Sequence, residues 1–360
     1  MANAADGLPK RSPMDEPAAS RGLSAFAAPR QDAVASFLAR NRWTATALQS
    51  LAGDASFRKY YRLVDGARRA VLMDAAPPQE DVRPFLSVAR HLRRLGYSAP
   101  EILDADETNG LLLLEDFGDE TYTRRLAAGE DEYALYARAV DLLIGLHRTS
   151  DAVAPELPDY DDARLLAEAA LLTDWFLPEV TGRPTAAEAR QEYLETWRAA
   201  LPVARLAPDT LVLRDYHVDN LMWLARREGV AACGLLDFQD AVIGPIAYDL
   251  VSLLEDARRD IARRLQASMI GRYLSAFPEL DRDVFAASYA ILGGQRNAKI
   301  IGIFTRLMAR DAKSQYLAHI PRVWRLLEGD LAHPALAAVR GWFDRHVPRP
   351  LRRAPLERPR

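Results

Sequence analysis

The chain has 360 residues, 49% of them hydrophobic and 27% charged, enough to bury one large core or two smaller lobes around a cleft. A formal net charge of -3 carries no basic excess of the kind that draws a protein to nucleic acid or anionic lipid, and small molecules are the expected partners. The single cysteine, Cys233, excludes an internal disulfide and a thiolate metal cluster, and with it fits a reducing, cytoplasmic setting. Residues 1–30, rich in Ala, Pro and charge, lack the continuous apolar run of a signal peptide or membrane span and read as a disordered lead.

From Gln31 onward, Val34, Phe37 and Leu38 stand at helical spacing. Strands are then expected over Ala45 to Leu51, Gly53 to Leu63 and Arg69 to Asp74, the last two joined by a turn at Asp65-Gly66. A helix from about Glu80 to Leu95 puts Phe85, Leu86, Ala89 and Leu92 on one face and ends at Gly96. Two more strands, Glu101 to Asp104 and Leu111 to Leu114, turn through Thr108-Asn109-Gly110. The chain becomes polar at Glu115-Asp116-Phe117-Gly118, so residues 31–115 are expected to form an N-terminal lobe with a hinge after it. Residues 116–347 read as a mainly helical lobe, with helices over Tyr133 to Arg148, Ala163 to Phe176, Ala186 to Ala200, Arg258 to Phe277, Val284 to Ala309 and Ile320 to Leu327. Its β interruption is Thr210 to Leu213, Leu221 to Leu224 and Cys233 to Leu236, and residues 348–360 read as a loose basic tail.

The chemistry concentrates in that interruption. Asp215 and Asn220 lie in a polar loop between two short apolar strands, and a third strand runs into Asp237, seventeen residues after the Asn. An Asp and an Asn five apart occur by chance about once in a chain of this length, so the strand context carries the signal. Phosphoryl transfer needs a carboxylate to orient and deprotonate the acceptor hydroxyl, and oxygen ligands to hold magnesium on the nucleotide phosphates. Asp215, Asn220 and Asp237 fit those roles in that order. Asp219 and His217 are the competing acid and base in the same loop, and no Ser or Cys nucleophile signature accompanies them.

Leu213-Arg214-Asp215 to Asn220, followed by Leu236-Asp237-Phe238-Gln239-Asp240, Gly244-Pro245 and Tyr248-Asp249-Leu250, resembles the aminoglycoside phosphotransferase family of protein-kinase-like small-molecule kinases, over roughly Gln31 to His346. Gly53 to Arg58, Leu72 to Ala75, Leu112 to Gly118 and the stretch from Asp237 to Asp256 look most like the anomeric kinases of N-acetylmuramate and N-acetylglucosamine in peptidoglycan recycling. The resemblance implies a two-lobed α+β fold, with a small antiparallel-sheet N-lobe and a larger helical C-lobe, and an enzyme that uses ATP and Mg; separately, a monomer is expected. It implies Asp215 as catalytic base, Asn220 and Asp237 as magnesium ligands, and Asp249 as a structural buttress of the catalytic loop.

The chain departs from the kinase pattern where Leu213 replaces a His, and where the strand ending in Ala70-Val71-Leu72-Met73 offers Met in place of the phosphate-binding lysine. Arg58 is the expected substitute cation. It shares a strand face with Ser56, a phosphate-binding candidate, and has Glu80 as a candidate partner. Glu115 and Phe117 lie in the expected adenine-reading hinge, and Arg214 is placed to stabilise transferred phosphate. Acceptor candidates are Asp240, Trp175 as a stacking ring, and Arg296 with Lys299, three apart on a helix and able either to clamp a lactyl carboxylate or to form ion pairs. Two other readings are an aminoglycoside, choline or homoserine kinase, and a pseudokinase that binds nucleotide without transfer.

Overall fold

The computed structural model describes residue 26 and residues 28–43, 48–51, 57–154, 156–353 and 356. Two compact units divide the chain, a smaller one of Met1–Arg90 with Pro100–Gly118 and a larger one of His91–Ala99 with Asp119–Arg360.

The smaller unit is built on the elements α1 (Ala28–Arg40), β1 (Leu48–Leu51), β2 (Lys59–Asp65), β3 (Arg68–Asp74), β4 (Ile102–Asp106) and β5 (Leu111–Leu114), with α2 (Arg83–Arg94) between β3 and β4. Its sheet has the order β1-β2-β3-β5-β4, and every pairing is antiparallel. Alternation along the strands sorts the side chains. Tyr61, Leu63, Ala70, Leu72, Leu111 and Leu113 join Val34, Phe37 and Leu38 of α1 in one buried cluster. Each large apolar side chain buried there contributes about 2 kcal/mol. Residues of the other parity, among them Tyr60, Arg62 and Met73, face the opposite side of the sheet. Gly110, between β4 and β5, has φ +61°, and an added Cβ would stand 2.1 Å from the Ala75 carbonyl oxygen, so only glycine fits this turn.

The larger unit contains the helices α3 (Tyr122–Ala127), α4 (Glu132–Arg148), α5 (Asp162–Ala169), α6 (Leu177–Thr181), α7 (Ala187–Ala204), α8 (Tyr248–Leu254), α9 (Arg263–Ala276), α10 (Arg282–Asp311), α11 (Ile320–Asp330), α12 (Ala337–His346) and α13 (Arg349–Arg352). Its strands form two small ribbons, β6 (Asp209–Val212) with β9 (Val242–Pro245) and β7 (Leu221–Trp223) with β8 (Cys233–Leu235). The 30-residue α10 is the central post. At Gly302 it passes so close to Leu171 that a Cβ would lie 2.3 Å from the Leu171 carbonyl carbon. Among the described residues, no helix is long and apolar enough to cross a membrane.

Three local expectations change. The helix expected over Ala163 to Phe176 divides into α5 and a π-helical turn at Leu172–Phe176, the stretch that faces Gly302. A fourth strand, β9, completes the β interruption, hidden in the sequence because it ends in Gly-Pro. The start of the tail expected to be loose from Pro348 instead forms α13, while residues 354–355 and 357–360 lie outside the described residues. Arg352 is buried in α13, donating to the Val347 carbonyl and to Glu328 and Asp344 at 2.7, 3.0 and 2.9 Å.

Candidate active site

Within the larger unit, Asp215 sits on the loop between β6 and β7, and its backbone is pinned on several sides. The Leu213 and Arg214 amides donate to the two oxygens of Asp249 at 2.6 and 2.9 Å, and the Asp215 amide turns back to the Leu213 carbonyl at 2.9 Å. The Tyr216 hydroxyl donates to the Ala139 carbonyl of α4 at 2.8 Å. Arg214 at the bend has φ +69°, a left-handed conformation costly for a residue with a Cβ. Asp249 is fully buried on α8, so the buttress implied by the resemblance is present as two hydrogen bonds. Burial pushes its carboxyl up to about 7 against the lowering effect of those two amides.

Asn220 closes the loop at β7. Its side-chain nitrogen donates to the Asp215 carbonyl at 2.9 Å and stands 3.5 Å from Asp237 Oδ2, while its own carbonyl accepts the Leu236 amide at 3.0 Å. Asp237 follows β8 with φ +57°, the second non-glycine residue of this site in the left-handed region, and Gln239 Nε2 donates to its Oδ1 at 2.8 Å. The structure therefore brings Asp215, Asn220 and Asp237 together. With the Asn220 amide nitrogen engaged, its oxygen and the Asp237 carboxylate form the hard, all-oxygen donor set that magnesium prefers. Those two side chains fit the ion.

Basic side chains lie close around Asp215. Burial alone would raise its carboxyl, but the charges of Lys299, Arg214 and Arg296 outweigh that effect and hold it below the ordinary aspartate value. His217 is itself buried, which keeps its imidazole below its usual value and neutral near pH 7. Arg296 and Lys299 thus both act on Asp215, but the accessible clamp expected of them is not what the structure contains. Arg296 is 5% exposed and donates to the Glu255 carbonyl at 3.2 Å, while Lys299 pairs with Glu168 at 3.0 Å. Arg214 likewise turns away from a role on phosphate. Its guanidinium pairs with Glu168 and reaches the Asp240 carbonyl at 3.4 Å. Asp240 is exposed, with its carboxylate 3.3 Å from Gln239 Nε2. Trp175 lies half-buried in the π-helical turn.

In the smaller unit, Arg58 pairs with Glu80 at 3.5 Å, both side chains mostly buried, and Glu80 also accepts the Phe57 amide at 3.2 Å. Glu80 stands ahead of α2, which begins only at Arg83, so pairing and not helix-dipole compensation accounts for it. Met73 is fully buried, paired with Tyr60 across the ladder. Ser56 lies outside the described residues. The Glu115 amide, expected at the hinge, is already committed to the Glu101 carbonyl at 2.9 Å, and its carboxylate accepts the Glu101 amide at 3.2 Å. Phe117 is half-buried. Sequence reasoning missed Arg62, whose guanidinium grips Asp116 through two bonds of 2.7 and 2.9 Å and the Gly118 carbonyl at 3.0 Å, fixing the chain where the unit ends. It also missed Glu168. A single acid on an amphipathic helix carries no pattern, and only the fold shows that four donors meet on it.

A sequence profile of the phosphotransferase enzyme family matches residues 47–285. The N-acetylmuramate/N-acetylglucosamine kinase of Caulobacter vibrioides is 38% identical, over 90% of this chain and 98% of the relative. The N-acetylmuramate/N-acetylglucosamine kinase of Pseudomonas aeruginosa is 39% identical, over 79% of this chain and 84% of the relative. Among solved structures, a choline kinase from Streptococcus pneumoniae superposes with TM-score 0.61 at 11% identity, covering 84% of this chain and 99% of that one. An ADP-bound aminoglycoside phosphotransferase, APH(2'')-Ib, gives 0.52 at 17% identity, covering 84% and 97%. At such identities the structural likeness establishes the two-lobed kinase-like α+β fold. With a profile that spans most of the chain and relatives aligned over nearly their whole length, this chain belongs to the phosphotransferase enzyme family.

Proposed function

We propose that this protein is an amino-sugar kinase that transfers the γ-phosphoryl group of ATP to the anomeric C1 hydroxyl of N-acetylmuramate and N-acetylglucosamine, a reaction of peptidoglycan recycling in the cytoplasm. The observation that carries the chemistry is the convergence of Asp215 and Asn220, on one pinned loop, with Asp237 just after β8, and with Asp215 held ionised by surrounding cations. The acceptor class rests on the two kinases 38% and 39% identical to this chain. In this reading Asp215 accepts the C1 hydroxyl proton as the oxygen attacks phosphorus. Asn220 and Asp237 hold magnesium, which supplies charge neutralisation on the phosphates. Arg58, oriented by Glu80, is the N-lobe cation for the nucleotide in place of a strand lysine. Asp240, exposed beyond Asp237, is the acid available to an acceptor hydroxyl.

The two kinases 38% and 39% identical to this chain, and not the choline and aminoglycoside enzymes at 11% and 17%, set the expected acceptor. Retention of a complete base and ligand set argues against a pseudokinase. The test is to incubate purified protein with ATP, Mg and each amino sugar, with choline and an aminoglycoside alongside, and to locate the new phosphate by mass spectrometry and by proton NMR of the anomeric position. Phosphate on C1 of either amino sugar is expected. Transfer to another hydroxyl, or turnover of the cationic acceptors alone, would overturn the assignment.

A further inference from the structure

Glu168 stands on α5, one residue before the helix ends. Its carboxylate gathers four donors from three other parts of the unit. On Oε1 it takes the Arg214 guanidinium and the Lys299 ammonium, the latter at 3.0 Å. On Oε2 it takes the Tyr160 hydroxyl and Gln295 Nε2, the latter at 3.4 Å. Gln295 also donates to the Leu165 carbonyl at 2.8 Å, tying α10 to α5, and the Tyr160 ring lies under the Arg214 guanidinium with its centroid 5.3 Å away. Burial would raise the Glu168 carboxyl, but Lys299 and Arg214 overcome this and keep it ionised.

A non-glycine residue in a left-handed bend is strained and persists only where its surroundings over-determine it. At Arg214 the backbone amide is held by Asp249 and the side chain by Glu168. Each end of the strained residue therefore has its own carboxylate. We propose that Glu168 is a positioning residue for catalysis: by anchoring the Arg214 guanidinium and the Lys299 ammonium it keeps the Leu213–Asp215 bend strained and so fixes where the Asp215 carboxylate stands. Without Glu168, two mostly buried cations lose their counter-charge, and the bend is free to relax to negative φ and swing Asp215 away from the acceptor hydroxyl. The inference rests on Asp215 acting as the base.

The test places Glu168→Gln and Glu168→Ala in the full-length chain, each with Asp215 intact and with Asp215→Asn. It reads kcat with both amino sugars, the KM for nucleotide, and thermal unfolding, and it follows the slow variants by transfer of radiolabelled phosphate. A misplaced reacting group costs on the order of 100-fold, so Glu168→Ala is expected to lower kcat by about that factor, with the nucleotide KM unchanged. Glu168→Gln, which keeps the shape and loses the charge, is expected to cost about tenfold, and it decides the matter if the Ala variant fails to fold. In the Asp215→Asn background, either change is expected to cost less than about twofold, because a residue that acts through Asp215 has nothing left to position. Equal losses in both backgrounds, or near wild-type kcat for folded Glu168→Ala, would overturn the inference. Wild-type turnover by Asp215→Asn would instead sink the base assignment.

Discussion

In the larger unit the side chains proposed to react hang from a loop whose amides and carbonyls are bound at Leu213, Arg214, Asp215 and Asn220, whereas in the smaller unit the candidate nucleotide contacts rest on one ion pair, Arg58 with Glu80. The contrast follows from the work each has to do. A base must be placed to within a fraction of an ångström of the proton it removes, and two left-handed residues, Arg214 and Asp237, show backbone strain spent on that placement. A cation that screens phosphate acts over several ångströms and tolerates a longer, looser pair.

The largest effect is expected where the pinning is severed. Asp249→Ala leaves the Leu213 and Arg214 amides unpaired in the interior and should destabilise the fold by about 4 kcal/mol, read from urea denaturation. Stability near that of wild type would show that the loop holds its shape without the buttress. Next comes Arg62→Met, which strands the Asp116 carboxylate and should cost about 3 kcal/mol. That loss would show the smaller unit to have one rigid anchor of its own. Arg58→Ala should matter least to folding and most selectively to binding, raising the nucleotide KM about tenfold while kcat changes little, which steady-state kinetics decides. A fall in kcat with unchanged KM would place Arg58 among the groups felt only in the transition state.

The smallest effect is a dependence of stability on pH in the core of the larger unit. Glu255 and Asp330 share the Asn297 amide at 2.7 and 2.9 Å. Burial pushes Glu255 up to about 7, and burial with the neighbouring Glu255 charge raises Asp330 well above its ordinary value. The folded protein thus keeps protons that the unfolded chain gives up. The stability they contribute is complete below the ordinary carboxylate range and is lost as pH rises through about 7. Wild type should weaken by about 1 kcal/mol more than Glu255→Gln between about pH 6 and about pH 8. Parallel pH curves for the two proteins would contradict the raised values.

Much of this was legible in sequence because it is local. Alternation sorts the faces of the five-stranded sheet, and Asp215, Asn220 and Asp237 fall at loop and strand ends, a strand context that points to phosphoryl transfer where their spacing alone does not. What escaped depends on contacts distant in sequence. Glu168 meets Arg214 and Lys299 across 46 and 131 positions, and Arg62 meets Asp116 across 54. No periodicity encodes such pairs. Arg296 and Lys299 were found by their shared helical face, but their partners, a backbone carbonyl and an acid from another helix, changed what that face does. The π-helical turn was invisible for the same reason, since it follows the close passage of Leu171 by Gly302.

In the proposed reaction Asp215 is the base and the loop exists to hold it. The most direct measurement is kcat for Asp215→Asn with N-acetylmuramate, alongside its thermal unfolding and its affinity for nucleotide. The account predicts a loss of about 1,000-fold in kcat, with melting temperature and nucleotide binding unchanged. A folded Asp215→Asn protein that turns over at the wild-type rate would contradict it.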